Sequence, residues 1–196
     1  MTAPISAYDR RLTAARPDLA ALHLKDAVVA ERYAAATPMR VAEPAVAVRA
    51  EPSARASLDT QALFGEIVQV YEITPEGWAW GQLDVDGYVG WMPADALAET
   101  GPAASHRVSA VRAFVFPEAT FKAPIASWLT MNAQVAVAGF AEARGRLYAE
   151  LATGGFVPVH QLSPLDATPE RDPVAVAERF LETPYLWGGR TSMGLD

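Results

Sequence analysis

The stretch GYVGWMPADAL, residues 87–97, carries the pattern that decides the fold. Its apolar residues alternate, which predicts a strand, and its glycines and proline are typical of short strands joined by tight turns. The dipeptide Asp86-Gly87 at its start predicts a hairpin, because primed turns need positive φ values that Asp and Gly tolerate. We therefore expect this stretch to close a small antiparallel β-structure.

A related pattern recurs 65 positions later in the chain. GFVPVHQL, residues 155–162, matches GWMPADAL, residues 90–97, with Gly, Pro and Leu in register. Upstream, LFGEIVQV and LTMNAQVAV align approximately at nearly the same offset. The simplest interpretation is that the chain has two β-domains of roughly 60 residues each, related by duplication.

The composition is that of a globular chain and limits the classes of partner. Of the 196 residues, 51% are hydrophobic and 20% are charged, which is enough apolar mass for a core. A formal net charge of -7 without a Lys and Arg cluster argues against a nucleic acid or an anionic membrane as partner. The absence of cysteine excludes disulfides and thiolate metal sites. No signal-peptide pattern or membrane-length apolar run is visible, so we expect a cytoplasmic location.

The segment ahead of the β-pattern predicts a helical arm. Pro17 and Asp18 are typical of a helix start. The apolar residues that follow recur at helical spacing: Leu19, Leu22, Val29 and Tyr33. We expect an amphipathic helix that ends near Ala36, ahead of Pro38, and packs on the domains that follow.

After a polar linker, a second helix and a glycine-rich loop are predicted. Asp172 suits an N-cap and Pro173 the first helical turn, and Thr183-Pro184 is expected to end the helix. Its buried face is expected to comprise Val176, Phe180 and Leu181. Asp196 is again a favoured N-cap. A thiol placed after it would have its pKa lowered by the partial positive charge of a helix N-terminus.

Two family resemblances rest on these motifs. The strands that end in GYVGWMPADAL resemble the closing half of a bacterial SH3 domain. TPYLWGGRTSMGLD, residues 183–196, resembles the active-site approach of the NlpC-type cell-wall cysteine peptidases, a papain-like family whose pattern is PYxWGG, a polar loop and D-C-S-G. The matching positions are Pro184, Tyr185, Trp187, Gly188, Gly189 and Asp196. The resemblance implies a nucleophilic Cys directly after Asp196, so the 196 residues themselves are expected to be inactive.

The resemblance also implies a domain organisation. The fold class is expected to be mainly β, with an N-terminal helical arm at 1–38 and SH3-like barrels at 39–101 and 102–166. Residues 167–196 are expected to begin an α+β papain-like catalytic domain.

The implied activity is that of a cysteine endopeptidase acting on murein peptides. Relatives with two SH3-like domains cut between D-γ-glutamate and a diamino acid, and their first SH3-like domain helps to recognise the free amino group of an N-terminal L-Ala. Carried over residue by residue, that role falls on Glu51 and Tyr88, whose carboxylate and phenol suit an ammonium group. Tyr185 and Asp196 correspond to positions at the substrate end of the cleft. The resemblance implies no cofactor.

Plainer interpretations of the same residues stay open. The chain could be a non-catalytic tandem SH3-like module that binds cell-wall peptide or a protein partner. Glu51 could be an exposed turn residue and Tyr88 a packing residue. The strand tryptophans Trp78, Trp80 and Trp91 are expected in the core or rim of the first barrel.

Two other kinds of site are not expected. The three histidines, His23, His106 and His160, lie in separate segments without a carboxylate pattern, which disfavours a metal site. GGRTSMG lacks the Gly-Lys-Ser/Thr ending and the preceding strand of a phosphate-binding loop.

Overall fold

The computed structural model describes residues 8–196, and the chain is mainly β, with 44% of it in strands and 8% in helices. The predicted mainly-β class is therefore confirmed. The described chain divides into two compact units, one of residues 8–62 and 66–100 and the other of residues 63–65 and 101–196. Within residues 8–196, no helix combines the length and the apolar character needed to span a membrane.

The first unit is built from short strands around one curled sheet. Its strands are β1 (Leu19–Ala21), β2 (Arg32–Ala34), β3 (Thr37–Val41), β4 (Ala45–Arg49), β5 (Leu58–Leu63, which reaches into the second unit), β6 (Ile67–Ile73), β7 (Trp78–Leu83), β8 (Val89–Pro93) and β9 (Leu97–Glu99). Single 3-10 turns span Leu22–Leu24 and Ala94–Ala96. The sheet order is β5-β4-β8-β7-β6-β3-β9, and β3 pairs with both β6 and β9. Strand β9, the last of this unit along the chain, is thus hydrogen-bonded to β3, one of its early strands.

The closing stretch forms the predicted strand, but the turn before it differs from the prediction. The loop between β7 and β8 spans residues 84–88, and of Asp86 and Gly87 only Gly87 has a positive φ, +76°. The Tyr88 N–H donates to Asp86 Oδ1 at 3.1 Å, which makes an Asx turn. The hairpin expected at Asp86-Gly87 is confirmed, since β7 and β8 pair antiparallel, but its turn is not a primed one, because Asp86 has no positive φ and caps the loop with its side chain.

A pair of glycines lets the strands of the first unit approach closely. Gly81 on β7 pairs with Gly90 on β8. A Cβ on Gly81 would lie 2.7 Å from Val68 Cγ1, and one on Gly90 would lie 2.6 Å from Val48 Cγ1 and 2.8 Å from the Arg49 carbonyl oxygen. All three distances are shorter than the contacts that real Cβ atoms make, so both glycines are required where the sheet curls over its own core.

The side chains next to these glycines follow the alternation of the strands. Ala79 and Met92 lie on the glycine face, in a core cluster with Val48 and Val68. Trp80 and Trp91 lie on the opposite face, 3% and 8% exposed, and pack in a second cluster. The prediction that these tryptophans are structural is confirmed.

The helix predicted for residues 17–36 is wrong. The segment forms β1, one 3-10 turn and β2, with β1 and β2 paired in parallel. The physical reason lies in the burial of β1: Leu19, Ala20 and Ala21 are all 0% exposed, with Leu19 and Ala21 in the tryptophan cluster and Ala20 in a separate cluster. A strand buries successive residues on opposite faces, whereas an amphipathic helix has one apolar stripe. Residues 1–7 of the predicted arm lie outside the described residues.

Arg16 is one of the residues that attach the arm to the sheet. The Arg16 guanidinium lies 4.4 Å from the Trp80 ring centre and 4.7 Å from that of Trp91. It also donates to Asp18 at 2.7 Å and to Glu72 at 2.5 Å, and Arg32 forms a further ion pair with Glu72. Partial burial opposes ionisation of Glu72, but its hydrogen bonds from the two arginines outweigh burial and hold its pKa below the usual range.

The second unit repeats part of this arrangement. Its strands are β10 (His106–Val108), β11 (Arg112–Val115), β12 (Ser127–Thr130), β13 (Gln134–Val135), β14 (Val137–Ala143), β15 (Arg146–Leu151), β16 (Phe156–Pro158), β17 (Leu162–Pro164), β18 (Arg190–Thr191) and β19 (Gly194–Leu195). The sheets are β13-β10-β17, β11-β12, β14-β15-β16 and β18-β19. A core cluster that includes Val108, Leu129 and Val157 lies among the strands of the first three sheets.

The predicted sequence repeat corresponds to a repeated element. In the first unit, β8 is followed by the 3-10 turn Ala94–Ala96 and β9; in the second, β16 is followed by the 3-10 turn Val159–Gln161 and β17. The proline that ends the first strand and the leucine that begins the last keep the same offset of 65 positions. Each final strand then pairs antiparallel with an early strand of its own unit, β9 with β3 and β17 with β10.

The second predicted helix is present but shorter than expected. Helix α1 spans Pro173–Glu178, and Asp172 caps it by accepting from the N–H groups of Val174 and Ala175. Leu181 lies beyond the helix and is 76% exposed, so its expected place on a buried face is wrong. The chain leaves the helix after Glu178, and Glu182 has φ +68°, which no helix can contain.

We predict that Gly90→Ala destabilises the chain by about 2–3 kcal/mol, because the added methyl group overlaps Val48 and the Arg49 carbonyl. Urea unfolding followed by circular dichroism measures the change. The matched control is Gly101→Ala, since a Cβ on Gly101 meets nothing within 4 Å. Equal stabilities of the two variants would contradict the close approach.

We also predict that Glu72→Gln lowers the free energy of unfolding by about 1 kcal/mol at neutral pH. The folded-state pKa of Glu72 is depressed, so its contribution is present above the unfolded-state pKa and lost as pH falls through the folded value. The variant and the unchanged chain should therefore converge in acid. Glu76→Gln, at an exposed carboxylate, is the control. A difference that persists at low pH would show that Glu72 acts without its charge.

Candidate functional site

Glu51 lies at the start of an ordered loop that follows β4. The loop is held by backbone hydrogen bonds from Ser53 N–H to the Glu51 carbonyl and from Ala56 N–H to the Ser53 carbonyl. Arg49 Nη1 donates to the Ala56 carbonyl at 2.6 Å. Within residues 8–196, the exposed Glu51 carboxylate has no hydrogen-bond or ion-pair partner. The backbone of Glu51 is therefore ordered, and its exposed carboxylate is accessible to a ligand.

Tyr88 lies immediately before β8 and is half-buried. Its backbone is fixed by Asp86 and by Leu83, whose N–H donates to the Tyr88 carbonyl at 2.8 Å. Its ring packs against the core cluster of the first unit. No described residue hydrogen-bonds to its hydroxyl group, so the packing and the binding interpretations are both compatible with its position.

The register of the sheet brings the elements carrying Glu51 and Tyr88 together. Strands β4 and β8 are antiparallel, with Arg49 opposite Trp91. The end of β4, two residues before Glu51, thus lies beside the first half of β8, which Tyr88 precedes. The two residues thus belong to the same end of the β4–β8 pair, and a carboxylate and a phenol are groups that can bind an ammonium group by charge and by hydrogen bonding.

Tyr185 and Asp196 are in direct contact in the second unit. Tyr185 Oη donates to Asp196 Oδ1 at 3.1 Å, and the Gly188 N–H donates to Asp196 Oδ2 at 2.8 Å. Partial burial of the phenol, the hydrogen bond to Asp196 and the charge of Asp196 together raise the pKa of Tyr185. Both oxygens of the carboxylate are therefore used within the chain, which closes the loop of residues 185–196 on itself.

The same loop is a small ordered hairpin. Strands β18 and β19 pair antiparallel, Leu186 N–H donates to the Leu195 carbonyl, and Asp196 N–H donates to the Gly189 carbonyl. Trp187 is 62% exposed. The backbone and Asp196, rather than the tryptophan, thus hold the loop.

Side chains that sequence analysis missed hold this hairpin from outside. Arg112 on β11 donates through Nε to Ser192 Oγ at 3.0 Å and through Nη2 to the Ser192 carbonyl at 3.3 Å. The Ser192 N–H donates to Thr130 Oγ1 on β12 at 3.2 Å. Thr130 and Arg112 lie 62 and 80 positions from Ser192 along the chain, so no local sequence pattern indicates these contacts.

The four predicted residues thus form two pairs, one in each unit. Glu51 and Tyr88 belong to the first unit and Tyr185 and Asp196 to the second. Among residues 8–196, no group of three His, Asp or Glu side chains is arranged to hold a metal ion.

Comparison with protein families places the first pair inside a known domain type. Residues 48–97 match the family described as the bacterial dipeptidyl-peptidase SH3 domain, which agrees with the resemblance of GYVGWMPADAL. Glu51 and Tyr88 both lie within the matched residues. No curated protein sequence is significantly similar to the chain.

Comparison with solved structures concerns the fold. An NlpC/P60 family protein from Bacillus cereus has a TM-score of 0.64 at 17% identity, over 82% of this chain and 68% of that chain. NlpC1 and NlpC2 from Trichomonas vaginalis have TM-scores of 0.30 at 16% and 15% identity, over 88% and 76% of this chain and 55% of each of theirs. The chain thus has a segment that matches a bacterial SH3 domain, in a fold similar to that of the Bacillus protein.

We predict that Asp196→Asn lowers the pKa of Tyr185 toward its ordinary value, because the negative charge beside the phenol is removed. NMR titration of the tyrosine ring signals measures the shift, with Tyr185→Phe used to assign the resonance. Asp166→Asn, at an exposed aspartate of the same unit, should leave the titration unchanged. An unaltered Tyr185 pKa in Asp196→Asn would mean that the contact is not kept in solution.

Proposed function

We propose that the chain is the peptide-binding part of a murein-peptide endopeptidase of the NlpC type. It would act in the cytoplasm on released peptides that carry a free N-terminal L-Ala, at the bond between D-γ-glutamate and a diamino acid. Residues 39–101 and 102–166 would be tandem SH3-like domains, and residues 167–196 would begin the papain-like domain.

The observation that carries the proposal is the carboxylate of Glu51. It is exposed, lies on an ordered loop and has no partner within residues 8–196, which is the state required of a group that binds a substrate ammonium. Tyr88, which precedes the strand paired with β4, offers a hydroxyl group that has no hydrogen-bond partner within residues 8–196. The family match over residues 48–97 and the similarity of fold to the NlpC/P60 protein support an NlpC/P60-related SH3 region, and the peptide class is part of the proposal.

The chemical step would need groups beyond those in the sequence. In an NlpC-type reaction a thiolate attacks the γ-glutamyl carbonyl and a histidine returns the proton to the leaving amine. The sequence contains no cysteine. The part assigned to this chain is therefore recognition: Glu51 and Tyr88 would hold the amino group, and Tyr185 and Asp196 would be further substrate-binding residues.

The test is the binding of L-Ala-γ-D-Glu-diaminopimelate to the full chain, measured by isothermal titration calorimetry. We expect binding without cleavage. Acetylation of the peptide amino group, or Glu51→Gln, should weaken binding by at least about tenfold, since a charge-assisted hydrogen bond contributes more than about 1.4 kcal/mol. Tyr88→Phe should weaken it less, because it removes a neutral partner.

The control is Glu76→Gln, which removes an exposed carboxylate of the same unit and should leave the affinity unchanged. If the acetylated peptide binds as tightly as the free one, Glu51 does not recognise an amino group and the proposal is wrong. If the peptide is cleaved by the cysteine-free chain, the thiolate mechanism is wrong.

A further inference from the structure

The hairpin that carries Asp196 rests on two strands of the second unit. Thr191 and Ser192, at its tip, are 2% and 8% exposed although both are polar. Polar residues at the tip of a hairpin are ordinarily solvated, so their burial requires specific partners. Ser192 has such partners in Arg112 on β11 and Thr130 on β12, whereas the Thr191 hydroxyl accepts from the Met193 N–H at 3.1 Å.

The hydroxyl group of Thr130 both donates and accepts a hydrogen bond. Thr130 is 1% exposed, and its hydroxyl donates over a long distance, 3.5 Å, to the Val111 carbonyl. Its oxygen thereby stays free to accept the Ser192 N–H at 3.2 Å. A buried N–H without an acceptor is strongly disfavoured, so this threonine fixes where the backbone of Ser192 lies.

The contact with Arg112 fixes the same residue from a second direction. Besides the two bonds to Ser192, its Nη2 approaches Met193 Sδ at 3.2 Å. The planar guanidinium defines both position and orientation of the groups it binds. Ser192 thus forms hydrogen bonds through its N–H, its carbonyl and its hydroxyl group.

The constraint passes from Ser192 to Asp196 through the hairpin itself. Ser192 lies between β18 and β19, which pair Thr191 with Gly194 and Arg190 with Leu195. Asp196 follows β19 directly and binds Tyr185 Oη and the Gly188 N–H. A shift of Ser192 would therefore displace the carboxylate and both of its donors.

We infer that β11 and β12 of the second unit act as a support that positions the Asp196 carboxylate and Tyr185, with Arg112 and Thr130 as the positioning residues. Under the proposed function, on which this inference rests, Tyr185 and Asp196 are substrate-binding residues. Arg112 and Thr130 would then affect peptide affinity through the loop.

The experiment uses the full chain and two kinds of variant. Thr130→Val keeps the shape of the side chain and removes the acceptor for Ser192 N–H, whereas Thr130→Ser keeps the hydroxyl. Arg112→Ala removes the second contact from an exposed position. Arg107→Ala is the control, since Arg107 also binds two backbone carbonyls of this unit, those of Leu165 and Ala167, but not the hairpin.

We expect amide hydrogen exchange at both Ser192 and Gly188 to accelerate roughly tenfold or more in Thr130→Val and in Arg112→Ala. The Tyr185 pKa should fall in the same variants as its contact with Asp196 loosens. Thr130→Ser should restore both readouts, and Arg107→Ala should leave both unchanged. If exchange accelerates at Ser192 alone while Gly188 and the Tyr185 titration stay as they were, the support does not position Asp196 and the inference is overturned.

Peptide titration separates this inference from the proposed function. If the unchanged chain binds L-Ala-γ-D-Glu-diaminopimelate, Arg112→Ala and Thr130→Val should weaken binding several-fold and Thr130→Ser should restore it. Unaltered affinity in both variants would overturn the contribution to binding. If the unchanged chain does not bind the peptide, the proposed function fails, and the exchange and titration readouts still decide whether the support positions the loop.

Discussion

The absence of side chains at Gly81 and Gly90 is the constraint on which the first unit depends. Their strands face neighbours so closely that a single methyl group at Gly90 would overlap Val48 and the Arg49 carbonyl. Because side chains alternate along a strand, the residues next to the two glycines direct their side chains to the opposite face of the sheet. Trp80 and Trp91 are directed away from the core, where Arg16 stacks on both rings. The arm is thus attached as a consequence of how the sheet curls.

The two carboxylates assigned to binding differ in their state, and the difference separates their roles. Asp196 uses both oxygens within the chain and gives the glycine loop its shape. Glu51 is held only through its backbone and leaves its charge unpaired within the described residues. A carboxylate that is already satisfied orders a site, whereas one that is ordered but unsatisfied is suited to a ligand.

Local sequence patterns correctly predicted the structural features that neighbouring residues determine. The alternating strands, the aromatic positions and the Asp172 cap follow from neighbouring residues, and the structure has them. The arm was predicted as a helix because Leu19, Leu22 and Val29 have helical spacing, yet burial on two opposite faces selects a strand for Leu19 to Ala21. The partners of Ser192 could not be predicted, since Arg112 and Thr130 come next to it only through the fold.

The family match over residues 48–97 and the folded unit do not share boundaries. Strand β3, which joins β6 to β9, lies ahead of the matched segment, as do Arg16 and the rest of the arm that covers Trp80 and Trp91. A fragment cut at the family limits would begin within β4, end at the first residue of β9 and lack β3, and its two tryptophans would lose their cover. For anyone transplanting this SH3-type segment into another protein, the portable module therefore begins in the arm, at or before Arg16.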